Sequence, residues 1–281
     1  MKCSECGSII PHDRETCPTC GTNAGFPNVR EVSAVSEKDA LEERYNRAIK
    51  YAHADGLDLL LEELSQASKY SHAVIAIDLD YLNGFITKDE VLYSCYALMV
   101  SGEMRKAASS VNDKKRRGVG GFFFGSYADK IRYAALSLDG KGLSSYGLFT
   151  LVLKDVAVKA RATLLEENSY KFYNKFRDKI PDNFPLGYRA VWSERYKLVV
   201  SKLADRITIT TTNHDFPGIL LSCTGNRETD DFIEVHIYGA FDNAAVETVV
   251  GKSTTFRKPD KARLAVIKEK LIKKGIQWVE S

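Results

Sequence analysis

The chain has 281 residues, of which 44% are hydrophobic and 27% are charged, and its formal net charge is +3. This length allows one large domain or two smaller ones, each with its own core. The composition is ordinary for a globular protein and excludes a long disordered or collagen-like tract. The small net charge does not by itself demand a nucleic-acid partner.

The apolar runs and the unpaired cysteines indicate the compartment. The most apolar runs, such as 73–79, are too short to cross a bilayer. The N-terminus is polar and lacks the pattern of a secretory leader. Cys95 and Cys223 stand alone in apolar surroundings, which favours a reducing compartment. We therefore expect a cytoplasmic protein with no membrane partner.

Four of the six cysteines form two pairs with metal-ligand spacing. In each pair two residues separate the cysteines and a glycine follows directly; the pairs are Cys3 with Cys6 and Cys17 with Cys20. Two such turns direct four thiolates at one ion, which fills a tetrahedral shell and leaves no position for a substrate. The alternative, a pair of disulfides, needs an oxidising compartment. The spacing predicts a structural zinc ribbon within residues 1–28. Residues 22–35 have the character of a linker.

Residues 29–118 are predicted to be mostly helical. Ser36 is a typical N-cap ahead of an acidic first turn, and further helices are expected at 57–67 and from residue 88 to about residue 99. The apolar run 74–78 fits either a short strand or a buried helical segment, because periodicity alone does not separate the two.

A basic run at 114–117 precedes a glycine-rich stretch at 118–121. One interpretation is a solvated basic loop at a domain boundary. The other is a mobile loop that holds the phosphates of a nucleotide or of a nucleic acid.

Beyond this point short segments rich in β-branched and aromatic residues predominate, and turn residues bound them. Helices are expected at 193–204 and 260–274. The sequence therefore predicts an α+β fold in which residues 119–281 form a mixed, mostly antiparallel sheet domain. The predicted strands are 131–138, 148–153, 161–165, 206–212, 218–223 and 232–238.

The last of these strands has an unusual polar face. Side chains alternate across a strand, so Phe232, Glu234, His236 and Tyr238 share one face, and three Ile and Val residues share the other. The polar face is either the solvated side of an edge strand or a covered surface. If it is covered, Glu234 is a buried carboxylate, which is typical of a functional site.

Three segments together resemble the core of the ADP-ribosyltransferase superfamily, in its bacterial toxin-like branches. Arg132 followed by Tyr133 matches an early strand that carries an arginine or a histidine. The run from Ser144 to Gly147 matches a later strand with small hydroxyl residues, and Glu234 matches the catalytic glutamate of a late strand. An uncharacterised bacterial family of this superfamily has a similar run, whose counterparts here are 132–136, 146–147, 152–154 and 161–163. The resemblance covers about residues 119–250 and implies a split β-sandwich and NAD as the substrate.

The resemblance also implies residue roles. Cleavage of nicotinamide from NAD leaves an oxocarbenium-like ribose, which Glu234 would stabilise through a ribose hydroxyl. His236 would accept the proton of the acceptor group. Arg132 would hold a ribose or phosphate oxygen, and Tyr133 would stack on nicotinamide.

The loop before residue 148 completes the implied NAD site. Ser144 and Ser145 would donate hydrogen bonds to NAD, and Tyr146 is the alternative to Tyr133 for stacking. Phe232 stands where enzymes that modify arginine or asparagine have Gln or Glu, which argues against an arginine acceptor.

We expect a mono-ADP-ribosyltransferase that acts as a bacterial toxin or phage-defence effector. The zinc ribbon and the basic run favour nucleic acid, RNA in particular, as acceptor, and a restraining antitoxin protein is the expected partner. The ribbon is then a docking or target-recognition module, so cysteine-to-serine changes should damage targeting more than NAD cleavage.

Two alternatives come from other classes. One is a metal-independent ribonuclease in which His214 and Lys154 act with Glu234 and His236. The other is a non-enzymatic adaptor, in which Glu234→Gln leaves every phenotype intact.

Overall fold

An eight-stranded sheet forms the centre of the protein. The structure is a computed structural model that describes residues 1–94, 110–177, 184–252 and 257–281. The strand order is β5-β4-β6-β2-β1-β3-β7-β8, and only the β7/β8 pair is parallel. The strands are β1 (His72–Ile77), β2 (Ile131–Ser137), β3 (Phe149–Leu153), β4 (Ala162–Leu165), β5 (Arg189–Val191), β6 (Glu234–Tyr238), β7 (Val246–Gly251) and β8 (Gln277–Glu280). The prediction of an α+β fold with a mostly antiparallel sheet is confirmed.

Strand β1 ties the middle of the chain to the C-terminal half. Val74 lies opposite Ala135 of β2 on one side and Val152 of β3 on the other. Residues 74–77 of the apolar run 74–78 thus belong to a central strand, as the β-branched residues favour, and residue 78 caps the helix that follows. The predicted helical segment therefore contributes a central strand to the sheet that the later described residues form, and residue 118 itself lies inside a helix.

Most of the described helices cover one face of the sheet, which we call the helical face. Val235 and Ile237 of β6, and Ile233 directly before it, belong to this main core, where each is fully buried. The described helices are α1 (Pro27–Val32), α2 (Val35–Ala54), α3 (Asp58–Ser68), α4 (Leu79–Thr87), α5 (Ser110–Phe124), α6 (Asp155–Val158), α7 (Ser169–Phe176), α8 (Arg195–Leu203), α9 (Phe216–Leu220) and α10 (Lys258–Lys273). Helices α8 and α10 confirm the predictions at 193–204 and 260–274. No described helix combines the length and the apolar character that a membrane span requires.

The opposite face, which we call the cluster face, carries two smaller apolar cores. One is aromatic and includes Phe123 and Phe124 of α5, Phe172 of α7 and Tyr238 of β6. The other contains Phe232 together with Val74, Val152 and Val250. The polar residues of β6 lie between these two cores, so this face is covered and is not the solvated side of an edge strand.

Two predicted strands are wrong. A 3-10 turn occupies Ala204–Arg206, and turns lead from there to α9, so neither 206–212 nor 218–223 is a strand. The threonines satisfy backbone groups locally: Thr208 N donates to Thr211 Oγ1, and Thr212 N donates to Asp215 Oδ2. Such short-range bonds compete with a sheet ladder, and Pro217 suits the first turn of α9.

Two predictions in the middle of the chain also change. Lys88 is extended and ends α4, so residues 88–94 do not form a helix; the rest of that predicted helix and Cys95 lie outside the described residues. The basic run 114–117 lies on the helical backbone of α5 and not in a loop. Val119 and Phe123, one turn apart, anchor this helix in the aromatic core despite its glycines.

Candidate functional site

The four N-terminal cysteines converge on one point. All four sulfurs lie within 4.8 Å of one another, and Cys3 Sγ lies 3.6 Å from Cys20 Sγ, as does Cys6 Sγ from Cys17 Sγ. A disulfide bond measures about 2.05 Å, so these cysteines are not oxidised pairs. Four converging thiol groups fit a metal ion such as zinc.

The local backbone explains why the sulfurs converge. Gly7 and Gly21 each close a turn. Their φ angles are +70° and +75°, respectively, a conformation that favours glycine. Hydrogen bonds with Thr22 lower the pKa of Cys20 to about 6, which favours the thiolate that a metal ion binds.

Three buried polar side chains meet on the cluster face of β6, and we call them the polar cluster. They are Glu234, His236 and Ser169, the first residue of α7. Ser169 N and Ser169 Oγ lie 2.5 and 2.9 Å from Glu234 Oε2. Ser169 Oγ also lies 3.1 Å from His236 Nε2. Both backbone and side chain of one serine thus stabilise the carboxylate at the N-terminus of a helix, where negative charge is favoured.

The proton positions in the polar cluster follow from these contacts. A serine hydroxyl has one proton, and Ser169 uses it towards Glu234. His236 Nε2 therefore carries a hydrogen and donates to Ser169 Oγ. Glu234 Oε1 lies 3.7 Å from the same nitrogen, Nε2. In a serine-hydrolase triad the carboxylate instead binds Nδ1–H, on the other side of the imidazole from the serine, so this arrangement is not such a triad.

An aromatic cover encloses the polar cluster. The ring of Phe124 packs edge-on at 4.9 Å from the ring of His236, and Tyr133 does so at 5.4 Å. Glu234 is 4% exposed and His236 2%, whereas Tyr133 is 38% exposed. Tyr133 therefore connects the cluster to the surface, and its pairing with His236 in the β2/β6 ladder places both side chains on the same face.

Arg132 is not brought to Glu234. Arg132 pairs with Ile237 in the ladder, so its side chain points to the helical face, whereas Glu234 pairs with Ala135 and points to the cluster face. The guanidinium donates to the Asp129 carbonyl at 3.1 Å. The expected contact of Arg132 with a ligand at Glu234 is therefore wrong, because successive residues of a strand point to opposite faces.

The loop with Ser144, Ser145 and Tyr146 lies on the cluster face and contacts residues 222–231. Ser144 N donates to Cys223 Sγ at 3.2 Å, and the Ser145 hydroxyl donates to the Asp230 carboxylate. Tyr146 packs edge-on against Phe232, two residues before Glu234, at 6.5 Å.

Asp230 and Gly147 fix this loop. Burial raises the pKa of Asp230, but hydrogen bonds from Ser145 and Thr224 outweigh burial and hold the pKa below its ordinary value. A side chain at Gly147 would collide with the backbone of Ile77 in β1, which explains the glycine after Tyr146.

In the described part of the chain, His214 and Lys154 do not join Glu234, although the ribonuclease alternative requires them to. His214 is exposed and precedes Phe216, which packs in the core of the helical face. Lys154 Nζ donates to the Ala244 carbonyl at 2.8 Å. Neither contacts Glu234 within the described residues.

Sequence reasoning missed Ser169 and Lys171. The available signal was Asn168, whose side chain caps α7 by accepting from Tyr170 N and Lys171 N. A cap directly after strand β4 would have placed Ser169 at a helix start beside β6. Lys171 Nζ donates to the Asp230 carbonyl at 2.6 Å and forms no salt bridge within the described residues.

A cavity of about 300 Å³ lies on the helical face, lined by residues that include Tyr70, Leu138 and Phe216. None of the predicted site residues lines it. No protein-family model matches the chain, and no curated protein matches it.

Proposed function

We propose that this protein is an NAD-dependent mono-ADP-ribosyltransferase with Glu234 as its catalytic carboxylate. One observation carries the proposal: Glu234 and His236 lie side by side on a buried strand face, and Ser169 holds both. Burial of a carboxylate and an imidazole costs folding free energy that hydrogen bonds must offset, and such groups concentrate at functional sites.

The reaction assigns a role to each polar group. The bond between ribose and nicotinamide breaks, and nicotinamide leaves with the bonding electrons. Positive charge develops on the ribose, and a carboxylate bound to a ribose hydroxyl stabilises it. The hydrogen bonds of Glu234 within the described residues all go to Oε2, which leaves Oε1 for that hydroxyl. Nδ1 of a neutral His236 accepts the proton of the acceptor group as the new bond to ribose forms.

Lys171 takes the phosphate-binding role in place of Arg132. It lies on α7, two residues after Ser169, on the same side of the sheet as Glu234. Its hydrogen bond to a neutral carbonyl leaves two ammonium hydrogens and a full charge for a phosphate oxygen.

NAD reaches Glu234 when the aromatic cover opens. Glu234 is 4% exposed, so the contact of Phe124 with His236 must separate before a ribose can enter. Tyr133 is then the ring placed to stack on nicotinamide.

We favour RNA as the acceptor and a toxin or phage-defence role in the cytoplasm, with an antitoxin protein as partner. The basic run 114–117 lies on α5, the helix whose last turn covers the polar cluster. We also propose that the ion in the four-cysteine module is Zn²⁺, which four thiolates suit best.

The test is transfer of label from NAD. The protein is incubated with NAD labelled in the adenylate half and with separate pools of RNA, DNA and cell protein. We expect label in the RNA pool and release of nicotinamide with the wild type, and neither with Glu234→Gln. Glu247→Gln, the same change at an exposed position of β7, should behave as the wild type.

Absence of label from every pool, together with absence of nicotinamide, would show that the polar cluster serves folding only. RNA cleavage without NAD would support the ribonuclease instead.

A further inference from the structure

Arg30 of α1 clamps the four-cysteine module. Its Nη1 donates to the carbonyls of Arg14 and Gly25, both at 2.7 Å, and its Nη2 donates to the His12 carbonyl at 2.8 Å. These carbonyls flank the second cysteine pair. The hydrogen bonds of this one side chain therefore form only when the backbone of the module is folded.

Asn28 of the same helix holds β6. It is 2% exposed, and its Nδ2 donates to the Arg161 carbonyl at 3.0 Å and to the His236 carbonyl at 3.2 Å. Asn28 thus bridges the β4 and β6 sides of the sheet at the residue that carries the imidazole of the polar cluster. Only one residue separates Asn28 from Arg30 in the chain.

A second set of contacts joins the module to the turn Gly125–Lys130, which precedes β2. The His12 ring lies 5.3 Å from the Tyr127 ring, and the Ser126 hydroxyl donates to Asp13 at 3.2 Å. Tyr127 in turn packs at 6.0 Å from Tyr238, the last residue of β6.

Neither the module nor α1 is large enough to remain folded alone. The apolar core of the module consists of Cys3, Ile10, Cys17 and Ala24, so its fold depends on the metal ion. Helix α1 has six residues, and a helix of that length needs partners to hold it. Loss of the metal ion would release the carbonyls that Arg30 binds and so remove the anchor of this short helix at its last turn.

We propose that the metal ion of the four-cysteine module positions the polar cluster, through Arg30, α1 and Asn28. Metal loss frees the backbone of β6 at His236 while the far side of the sheet, β3 and β7, keeps its structure. The module is then a metal-dependent brace of the candidate site and not a separate targeting module. This inference does not depend on the reaction, because backbone protection is its readout.

Hydrogen exchange measured by mass spectrometry on the full chain tests the proposal. The zinc-loaded protein is compared with the protein treated with a chelator. Peptides that cover 162–165 and 234–238 should exchange roughly tenfold faster after metal removal, whereas peptides that cover 149–153 and 246–250 should not change. Unchanged exchange at 234–238, after peptides of residues 1–25 have lost protection, would overturn the proposal. Equal loss of protection in β6 and β7 would overturn it as well.

A variant that keeps all four cysteines separates the brace from global unfolding. Arg30→Met should bind one Co²⁺ ion with the absorption of a thiolate complex, yet it should lose protection at 234–238 even when loaded. Arg14→Met, at an exposed position of the same module, is the matched control and should keep that protection. Full protection of β6 in loaded Arg30→Met would contradict the route through Arg30.

Discussion

Both donors of Ser169, its backbone amide and its hydroxyl, point at one oxygen of Glu234, Oε2. The carboxylate is thereby held in one rotamer at the start of α7, with its other oxygen turned to His236. This relationship links the last part of the chain to a helix that begins 65 residues earlier.

Removal of the Ser169 hydroxyl should destabilise the protein. Ser169→Ala leaves His236 Nε2–H without its acceptor and Glu234 with one donor fewer, which costs about 1–3 kcal/mol for buried groups. Denaturant unfolding measures the loss. Ser144→Ala, at an exposed position, should change the free energy of unfolding by less than about 0.5 kcal/mol. Equal stability of the two variants would show that the cluster bonds contribute little.

Lys171 and Arg132 should differ in their effect on NAD. Lys171→Met is expected to raise the KM for NAD about tenfold, because a phosphate oxygen loses a charged partner. Lys175→Met on the same helix, at an exposed lysine that pairs with half-buried Glu167, is the control and should leave the KM unchanged.

The same kinetics test the role of Arg132. Arg132→Met should lower stability, since Arg132 is 5% exposed, and should leave the KM of the folded fraction unchanged. A KM that rises with Arg132→Met and not with Lys171→Met would reverse the assignment.

Asp230 should make the stability of the protein depend on pH. Its pKa is lowered in the folded state, so the folded protein binds fewer protons than the unfolded chain. The stability that ionised Asp230 contributes is complete above the pKa of the unfolded chain, about 3.9, and is lost as pH falls through the lower pKa of the folded protein. Asp230→Asn should therefore be less stable than the wild type at pH 7, with a difference that narrows below about pH 4. Unfolding curves across this range measure it, with Asp129→Asn, a change at an exposed carboxylate, as control.

Metal content should depend on the four N-terminal cysteines alone. The purified wild type should contain one zinc ion per chain, and Cys17→Ser should lose it together with thermal stability, because a missing thiolate opens the shell. Elemental analysis measures the content. Cys223→Ser should keep the metal, since Cys223 bonds to Ser144 and lies outside the four-cysteine cluster. Retention of zinc by Cys17→Ser would show that another group completes the shell.

Local patterns in the sequence predicted the parts of the fold that short-range chemistry decides. The cysteine spacing identified the four-cysteine cluster, and alternation along 232–238 identified strand β6 and both of its faces. The threonine-rich run at 208–212 was wrongly predicted to be a strand, because β-branched residues generally favour strands. Here local hydrogen bonds satisfy the backbone groups in place of a sheet ladder.

The candidate site depended on pairings that no local pattern encodes. Whether Arg132 reaches Glu234 is decided by register: a shift of one residue between β2 and β6 would exchange the faces. Ser169 joins the site only because β4 pairs with β6, which brings the start of α7 beside Glu234. The docking of the four-cysteine module on α1 arises likewise from contacts of Arg30 with backbone carbonyls, which any sequence offers.

In the proposed reaction Glu234 promotes cleavage of NAD, and release of nicotinamide measures that cleavage. Wild type, Glu234→Gln and Glu247→Gln are incubated with NAD under one condition, after thermal melting has shown which variants are folded. The proposal predicts release by the wild type and Glu247→Gln, and a rate at least about a hundredfold lower for folded Glu234→Gln. Equal rates for folded Glu234→Gln and the wild type, or no release by any of the three, would contradict it.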